Sequence, residues 1–274
     1  MSRNKKRIVA VGFYIGLLII IGFGIHSLLT PNPTCNDGIK NQLEEGVDCG
    51  GPCPPCPEEE KISELEVVDK EWNNTESNKF DAVVKMKNPN SSLGVAEVQL
   101  KATFLDEENE ILREVPDIKS FILPDEEKSV LLQNIELPGS PDNLKIEITK
   151  TDWKKFSDYS SPKLPIIRTS FEDSSEGVAG NSRVIGTLIN ESNTDYETIK
   201  VQAILRNREG ELLAVNSQVM NTVRAGEERD FKMVFSSAYN LSEVFDVDVK
   251  AETNIFNSYN YIKIHGNPEN IHDR

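Results

Sequence analysis

Histidine is nearly missing from this chain: three in 274 residues, at His26, His265 and His272. Imidazole is the commonest side-chain base and metal ligand near neutral pH, so its scarcity removes many hydrolytic and metal-dependent sites. The motifs of such sites are missing too. There is no G-x-S-x-G, no H-E-x-x-H and no phosphate-binding glycine loop. Carboxylates are plentiful, but a glycosidase pair needs a cleft and shifted pKa values, and strand-borne charge is ordinarily a solvated face. The expectation is a protein that is not an enzyme and carries no cofactor. Positive charge is also short: 30 basic residues stand against 45 acidic ones. Four of the basic ones, Arg3, Lys5, Lys6 and Arg7, precede residue 8, leaving 26 against 45 beyond it. That excess repels nucleic acid and anionic membrane surfaces. Cysteine is confined to one stretch, at Cys35, Cys49, Cys53 and Cys56. The rest of the chain must stand on apolar cores, unlike a disulfide-dense secreted fold.

Long apolar runs are rare as well, with one exception. Ile8 to Leu29 holds 22 residues without an acidic or basic side chain. A bilayer core is about 30 Å thick and takes about 20 helical residues. The stretch, with Thr30, is read as a transmembrane helix over 8–30. The basic tail 1–7 stays in the cytoplasm by the positive-inside rule, and everything beyond lies outside. A cleaved signal peptide has an apolar centre of about 7–15 residues followed by small residues. Here the run is longer, and His26-Ser27-Leu28-Leu29-Thr30-Pro31 offers no such site. The expectation is an uncleaved anchor in the plasma membrane, with the lipid bilayer as partner for 8–30.

Residues 31–63 form a Cys-rich segment and an acidic spacer, Pro57-Glu58-Glu59-Glu60-Lys61. The cysteines follow C-x13-C-x3-C-x2-C, with too little chain for a core of its own. Outside the membrane, two disulfides are the expected staple. Four cysteines allow three pairings and the spacing does not choose; Cys35–Cys53 with Cys49–Cys56 is the working assignment. A zinc site would want two C-x2-C arms, and only one exists. No βαβ pattern surrounds Cys53 and Cys56 to suit a redox pair. Asp37, Asn41, Glu44, Glu45 and Asp48 bring oxygen ligands into one loop. Calcium takes about six to eight oxygens, so Asp37, Asn41, Glu45 and Asp48 are candidate calcium ligands, although the loop lacks EF-hand spacing. The residues Cys35, Gly38, Asn41, Glu44 or Glu45, Val47, Asp48, Cys49, Gly50, Gly51, Cys53 and Cys56 resemble a short motif of prokaryotic surface proteins. That resemblance implies export and no catalytic activity.

From Leu65 the pattern is strand-like, with short apolar runs and turn signals such as Asn88-Pro89-Asn90, Pro124-Asp125 and Pro138-Gly139. About seven strands at such spacing predict a sandwich or barrel. The series returns 101 residues later. Val98, Leu100, Ala102 and Phe104 become Ile199, Val201, Ala203 and Leu205; Asn109 becomes Gly210; Glu126-Glu127-Lys128 becomes Glu227-Glu228-Arg229. The constant offset predicts a tandem duplication, each copy folding alone. The first copy spans 64–150 and the second 164–256, with a linker at 151–163. Alternation turns Val84, Leu100, Ala102, Phe104, Val130, Leu132, Ile146 and Ile148 inward in the first. In the second it turns Val184, Leu188, Val201, Ala203, Leu205, Phe231, Met233, Val247 and Val249 inward. The tail 257–274 is expected to add an edge strand at most and to fray from His265.

The second copy carries Gly186-x-Leu188-x-Asn190, then Leu205-x-Asn207-x-x-Gly210-x-Leu212-Leu213, then Ala225-Gly226-Glu227 with Phe231. These resemble the FxLYD family, whose motifs have Asp where Asn207 stands and Pro where Ala225 stands. The resemblance covers roughly 182–252 well and 80–150 weakly. It implies immunoglobulin-like or fibronectin-type-III-like sandwiches in an exported protein and supplies no catalytic residues. The fold class expected is therefore all-β: two tandem immunoglobulin-like β-sandwich domains after one transmembrane helix and a small Cys-rich segment. The function expected is non-enzymatic binding or adhesion to an extracellular protein or glycan. The alternative is a structural or assembly component of an envelope membrane complex. Asn-x-Ser/Thr sequons stand at Asn73, Asn90, Asn190 and Asn240, a pattern common by chance.

Overall fold

The computed structural model describes residues 3–29, 35–41, 43–56, 62–173 and 182–271 and, on its long helix, the side chains of 7 and 11–25. The chain divides into two compact units, Met1–Lys61 and Ile62–Arg274. The acidic spacer at 57–61 lies outside the described residues.

In the first unit, helix α1 runs Arg3–Leu29 over 27 residues, and its apolar side chains at 11–25 point outward. Among the described residues no helix is long and apolar enough to cross a membrane. The segment after α1 has no helix or strand among its described residues, only an isolated bridge between Gly46 and Cys49. Disulfides Cys35–Cys53 and Cys49–Cys56 hold it instead.

The second unit is mostly β. Its strands are β1 Glu66–Glu76, β2 Lys79–Lys87, β3 Gly94–Leu105, β4 Ile111–Ile122, β5 Glu127–Glu136 and β6 Asn143–Lys155. Then come β7 Ile166–Glu172, β8 Arg183–Ile189, β9 Tyr196–Arg206, β10 Leu212–Val223, β11 Glu228–Val234 and β12 Asp246–Glu252. A short helix α2, Tyr259–His265, and strand β13, Glu269–Ile271, follow. Sheet β1-β2-β5 packs on sheet β13-β6-β3-β4, and sheet β11-β8-β7 packs on sheet β10-β9-β12. Each half is a β-sandwich with the same strand order. β4 and β10 match end for end at the 101-residue offset.

The reason lies in the alternation. Every residue expected inward in the first half lines one core, and every one in the second half lines the other. Those on the last strands, Ile146, Ile148, Val247 and Val249, are only half-buried. The turns repeat as well. Asn109 and Gly210 take φ of 62° and 84°, the left-handed conformation that Gly and Asn tolerate best. Beside them, Asp106 Oδ1 accepts the Glu110 N–H and Asn207 Oδ1 accepts the Glu211 N–H, both at 2.8 Å. Asn for Asp at 207 therefore leaves the turn's bond intact.

Four features depart from expectation. Among the described residues each half has six strands of its own, against about seven expected. The linker is shorter than 151–163, because β6 runs on to Lys155 and buries Trp153 in the first core. The tail does not fray at His265. Ser258 caps α2 by accepting the Tyr261 N–H, and β13 pairs Glu269 with Lys155 and Ile271 with Trp153. The seventh strand of the first sandwich thus comes from beyond the second. Finally, the two halves are not beads on a string but share a fixed interface.

Candidate functional site

Val83 and Leu131 sit at positions of β2 and β5 that face away from the first core. Ile204 and Val215 do so on β9 and β10, and with Leu212 these residues form a third apolar cluster. Val83 is 1% exposed. Strand alternation would make such positions polar if they met water, so their apolar character is the signature of sheet-on-sheet packing. Polar groups finish the contact. Asp81 Oδ2 accepts the Val215 N–H at 3.0 Å and Oδ1 accepts the Asn134 N–H at 2.9 Å. Gln133 Nε2 donates to the Val215 carbonyl at 3.1 Å. Arg206 holds Glu71 through both terminal nitrogens, one of them 2.7 Å from Oε2. Burial pushes the Asp81 carboxyl above its ordinary pKa, while the two backbone donors pull it back.

Beside this interface runs a polar groove of about 450 Å³, whose walls include Asp69, Lys85, Glu127, Arg206, Asp246 and Asp248. It shares Glu127, Asp248 and Lys250 with a smaller recess that ends on Lys128 and Glu252. Lys128 comes from β5 and Glu252 from β12, so this pair also spans the two halves. The ammonium stands 2.9 Å from Glu252 and 3.1 Å from the centre of the Phe121 ring. Gln202 Nε2 donates to the other Glu252 oxygen at 2.8 Å. Burial lowers the Lys128 pKa, with the Glu252 and Glu126 carboxylates opposing it. Burial likewise raises that of Glu126. A lysine of lowered pKa is a recognised nucleophile, but this one is 3% exposed along its side chain. It is a strut rather than a reactive group. The groove can recognise a polar ligand through charges of both signs; it brings together no nucleophile, base and oxyanion donors.

The Cys-rich loop uses its carboxylates on its own backbone. Asp48 accepts the N–H groups of Asp37 and Gly38, each at 2.9 Å. Asp37 accepts from the Ile39 N–H and from Asn41 Nδ2. Glu44, not among the candidate ligands, is the buried one; it accepts the Asn41 N–H and lies against Cys53. Glu45 is exposed. Cys35, Glu44 and Cys53 lie close enough to hold an ion, but both sulfurs are committed to a disulfide and are not thiolates. Three of the four candidate calcium ligands, Asp37, Asn41 and Asp48, thus make side-chain bonds within the loop.

Sequence reasoning missed the interface set, whose one trace in β2 is the consecutive apolar run Ala82-Val83-Val84. It named Asn88 as a turn residue and Asn190 as a motif residue without seeing what their side chains do. Asn88 Nδ2 donates to the carbonyls of Leu93 and Leu123, and Asn190 Nδ2 to those of Thr194 and Val223. Each stitches a buried turn in its own half.

No protein family matches this chain, and no curated protein matches it. Among solved structures, the C-terminal globular domain of an oligosaccharyltransferase from Pyrococcus abyssi is similar over 64% of this chain and 41% of that one. The identity is 7% and the TM-score 0.16.

Proposed function

We propose that this is a single-pass membrane-anchored surface protein. Its N-terminus lies in the cytoplasm, and two immunoglobulin-like modules of FxLYD type are held outside for non-enzymatic binding of an extracellular protein or glycan. The observation that carries the reading is the fused pair of sandwiches. Their interface leaves a mixed-charge groove along the seam, the kind of concave, pre-formed surface on which ligands are held. The anchor is supported by the sequence: the run 8–29 has no acidic or basic residue, is long enough at about 1.5 Å per residue to cross a bilayer core, and follows Arg3, Lys5, Lys6 and Arg7, which open α1. The exported location is supported by the two disulfides. The module type is supported by the strand order, first-second-fifth against fourth-third-sixth in both halves.

Protease applied to intact cells should release the 62–274 unit, and a protected C-terminus overturns the topology. Purified 62–274 should bind arrayed glycans or intact cells and lose that binding in Asp246→Lys/Asp248→Lys. Equal binding by the variant removes the groove from the function.

A further inference from the structure

The four sequons are not equivalent in the fold, and the difference lies in one atom. An N-glycan is carried on Asn Nδ2, so that nitrogen must be reachable and able to give up a hydrogen. At Asn73, Nδ2 donates to the Leu213 carbonyl at 2.9 Å, across the interface between the sandwiches. At Asn90 it donates to the Ser63 carbonyl at 2.8 Å and to Asn88 Oδ1 at 2.9 Å, and the residue is buried. At Asn190 it donates inward to Thr194 and Val223, and the residue is wholly buried.

Asn240 is the exception. It is exposed, at the start of a turn between β11 and β12. Its Oδ1 accepts the Ser242 N–H at 3.1 Å and also the Ser242 hydroxyl. Glu243 reaches back to accept the Asn240 N–H at 2.9 Å, so the turn is closed from both ends. All the side-chain bonds of Asn240 therefore run through its oxygen, and among the described residues its Nδ2 has no partner. Glycosylation would leave Oδ1 in place, so the turn would survive it. The neighbours do not crowd the site: Leu241 is 60% exposed and Phe245 67%.

We infer that Asn240 is an N-glycan acceptor and that the other three sequons are structural asparagines. The inference rests on the extracytoplasmic reading above. The donor is an oligosaccharide on a lipid diphosphate, handled by a membrane glycosyltransferase. Asn240 Nδ2 forms a bond to the anomeric carbon as the carbon–oxygen bond to phosphate breaks. The lipid diphosphate leaves with that electron pair, and one Nδ2 proton passes to a base of the transferase.

The test is peptide mapping by mass spectrometry on the full chain, produced in cells that N-glycosylate their surface proteins. Thiol blocking at Cys35, Cys49, Cys53 and Cys56 is read in the same sample to report export. The expected result is one glycan mass on the peptide that contains Asn240. It should vanish in both Asn240→Gln and Ser242→Ala, while Asn73, Asn90 and Asn190 stay bare. Blocked thiols with a bare Asn240 overturn the inference and leave the location standing. Free thiols with a bare Asn240 overturn both. A glycan on Asn90 or Asn190 in folded protein overturns the argument from accessibility.

Discussion

Asp81 accepts the backbone N–H of Val215 at 3.0 Å, so a carboxylate of one sandwich completes the hydrogen bonding of the other. Its second oxygen serves Asn134 within its own half. Asp81→Ala strands the Val215 N–H in a buried setting and the Asn134 N–H in a partly buried one. Each unsatisfied group costs about 1–3 kcal/mol, so the variant should lose about 2–5 kcal/mol in urea denaturation. A variant that unfolds at the wild-type midpoint would mean that water replaces the carboxylate and that the interface is open.

The apolar part of the same interface decides how the unit unfolds. With Val83, Leu131, Ile204, Leu212 and Val215 buried together, residues 62–274 should unfold in one transition. Val83→Lys places an unpaired charge in that layer, which is expensive. The two sandwiches should then uncouple into separate steps, visible by calorimetry. Two steps already present in the unaltered protein would show that the contact is weak.

Phe231 and Gly186 test the second core. The ring is 4% exposed, and a Cβ built on Gly186 would stand 2.6 Å from its Cζ. Phe231→Ala should cost about 3–5 kcal/mol, and Gly186→Ala about 1–3 kcal/mol by overpacking. The nearby turn is not a bystander either. Glu227 accepts the Arg224 N–H at 2.8 Å and pairs with Arg229, and these contacts hold its carboxyl below the ordinary pKa. Glu227→Ala should therefore lower the midpoint measurably, yet by less than Phe231→Ala. The reverse order would break the register assigned to β11.

Tyr261 gives an alkaline test. Its hydroxyl donates to the Ser160 carbonyl and accepts the Ser160 N–H, both at 2.9 Å, tying α2 to the chain between the sandwiches. Burial pushes its pKa from 10.0 up to about 12. The folded state then keeps a proton that the unfolded chain releases. The stabilisation is complete below pH 10 and is lost as pH rises toward 12. Tyr261→Phe should lower stability near pH 7 by about 0.5–1.5 kcal/mol through loss of the bonds to Ser160. It should also flatten the fall above pH 10. Burial raises the pKa of Tyr159, Tyr196 and Tyr239 as well, so a smaller slope should persist. An unchanged slope would exclude Tyr261 as its source.

Much of this architecture was legible from spacing. Period-two alternation names the inward face of each strand whatever it packs on, which is why Leu100 and Val201 could be assigned without a fold. The same rule hides the interface. Val83 and Ile204 stand off the alternating inward set, and a strand's pattern does not say which partner covers its other face. The tail was misread for a related reason. Phe256, Tyr259, Tyr261, Ile262 and Ile264 suit a strand by composition, but Ser258 caps a helix there, and the pairing of β13 with β6 leaves no local trace. The carboxylates of the Cys-rich loop were read as ligands because sequence shows their charge and not the amide groups they face. Asp48 shows the difference: its oxygens are taken by Asp37 and Gly38.

The return of β13 to β6 also sets an order of events. A chain emerging from the ribosome exposes β1 to β6 first, yet the strand that borders β6 is made only after the whole second sandwich. Until then Trp153 lacks the Ile271 neighbour that lies opposite it, and the end of β6 from Trp153 to Lys155 shows its hydrogen-bonding groups on the outer edge, open to any passing strand. The half that is translated first is the half that is completed last, and until then it is the one most in need of protection from another copy of itself.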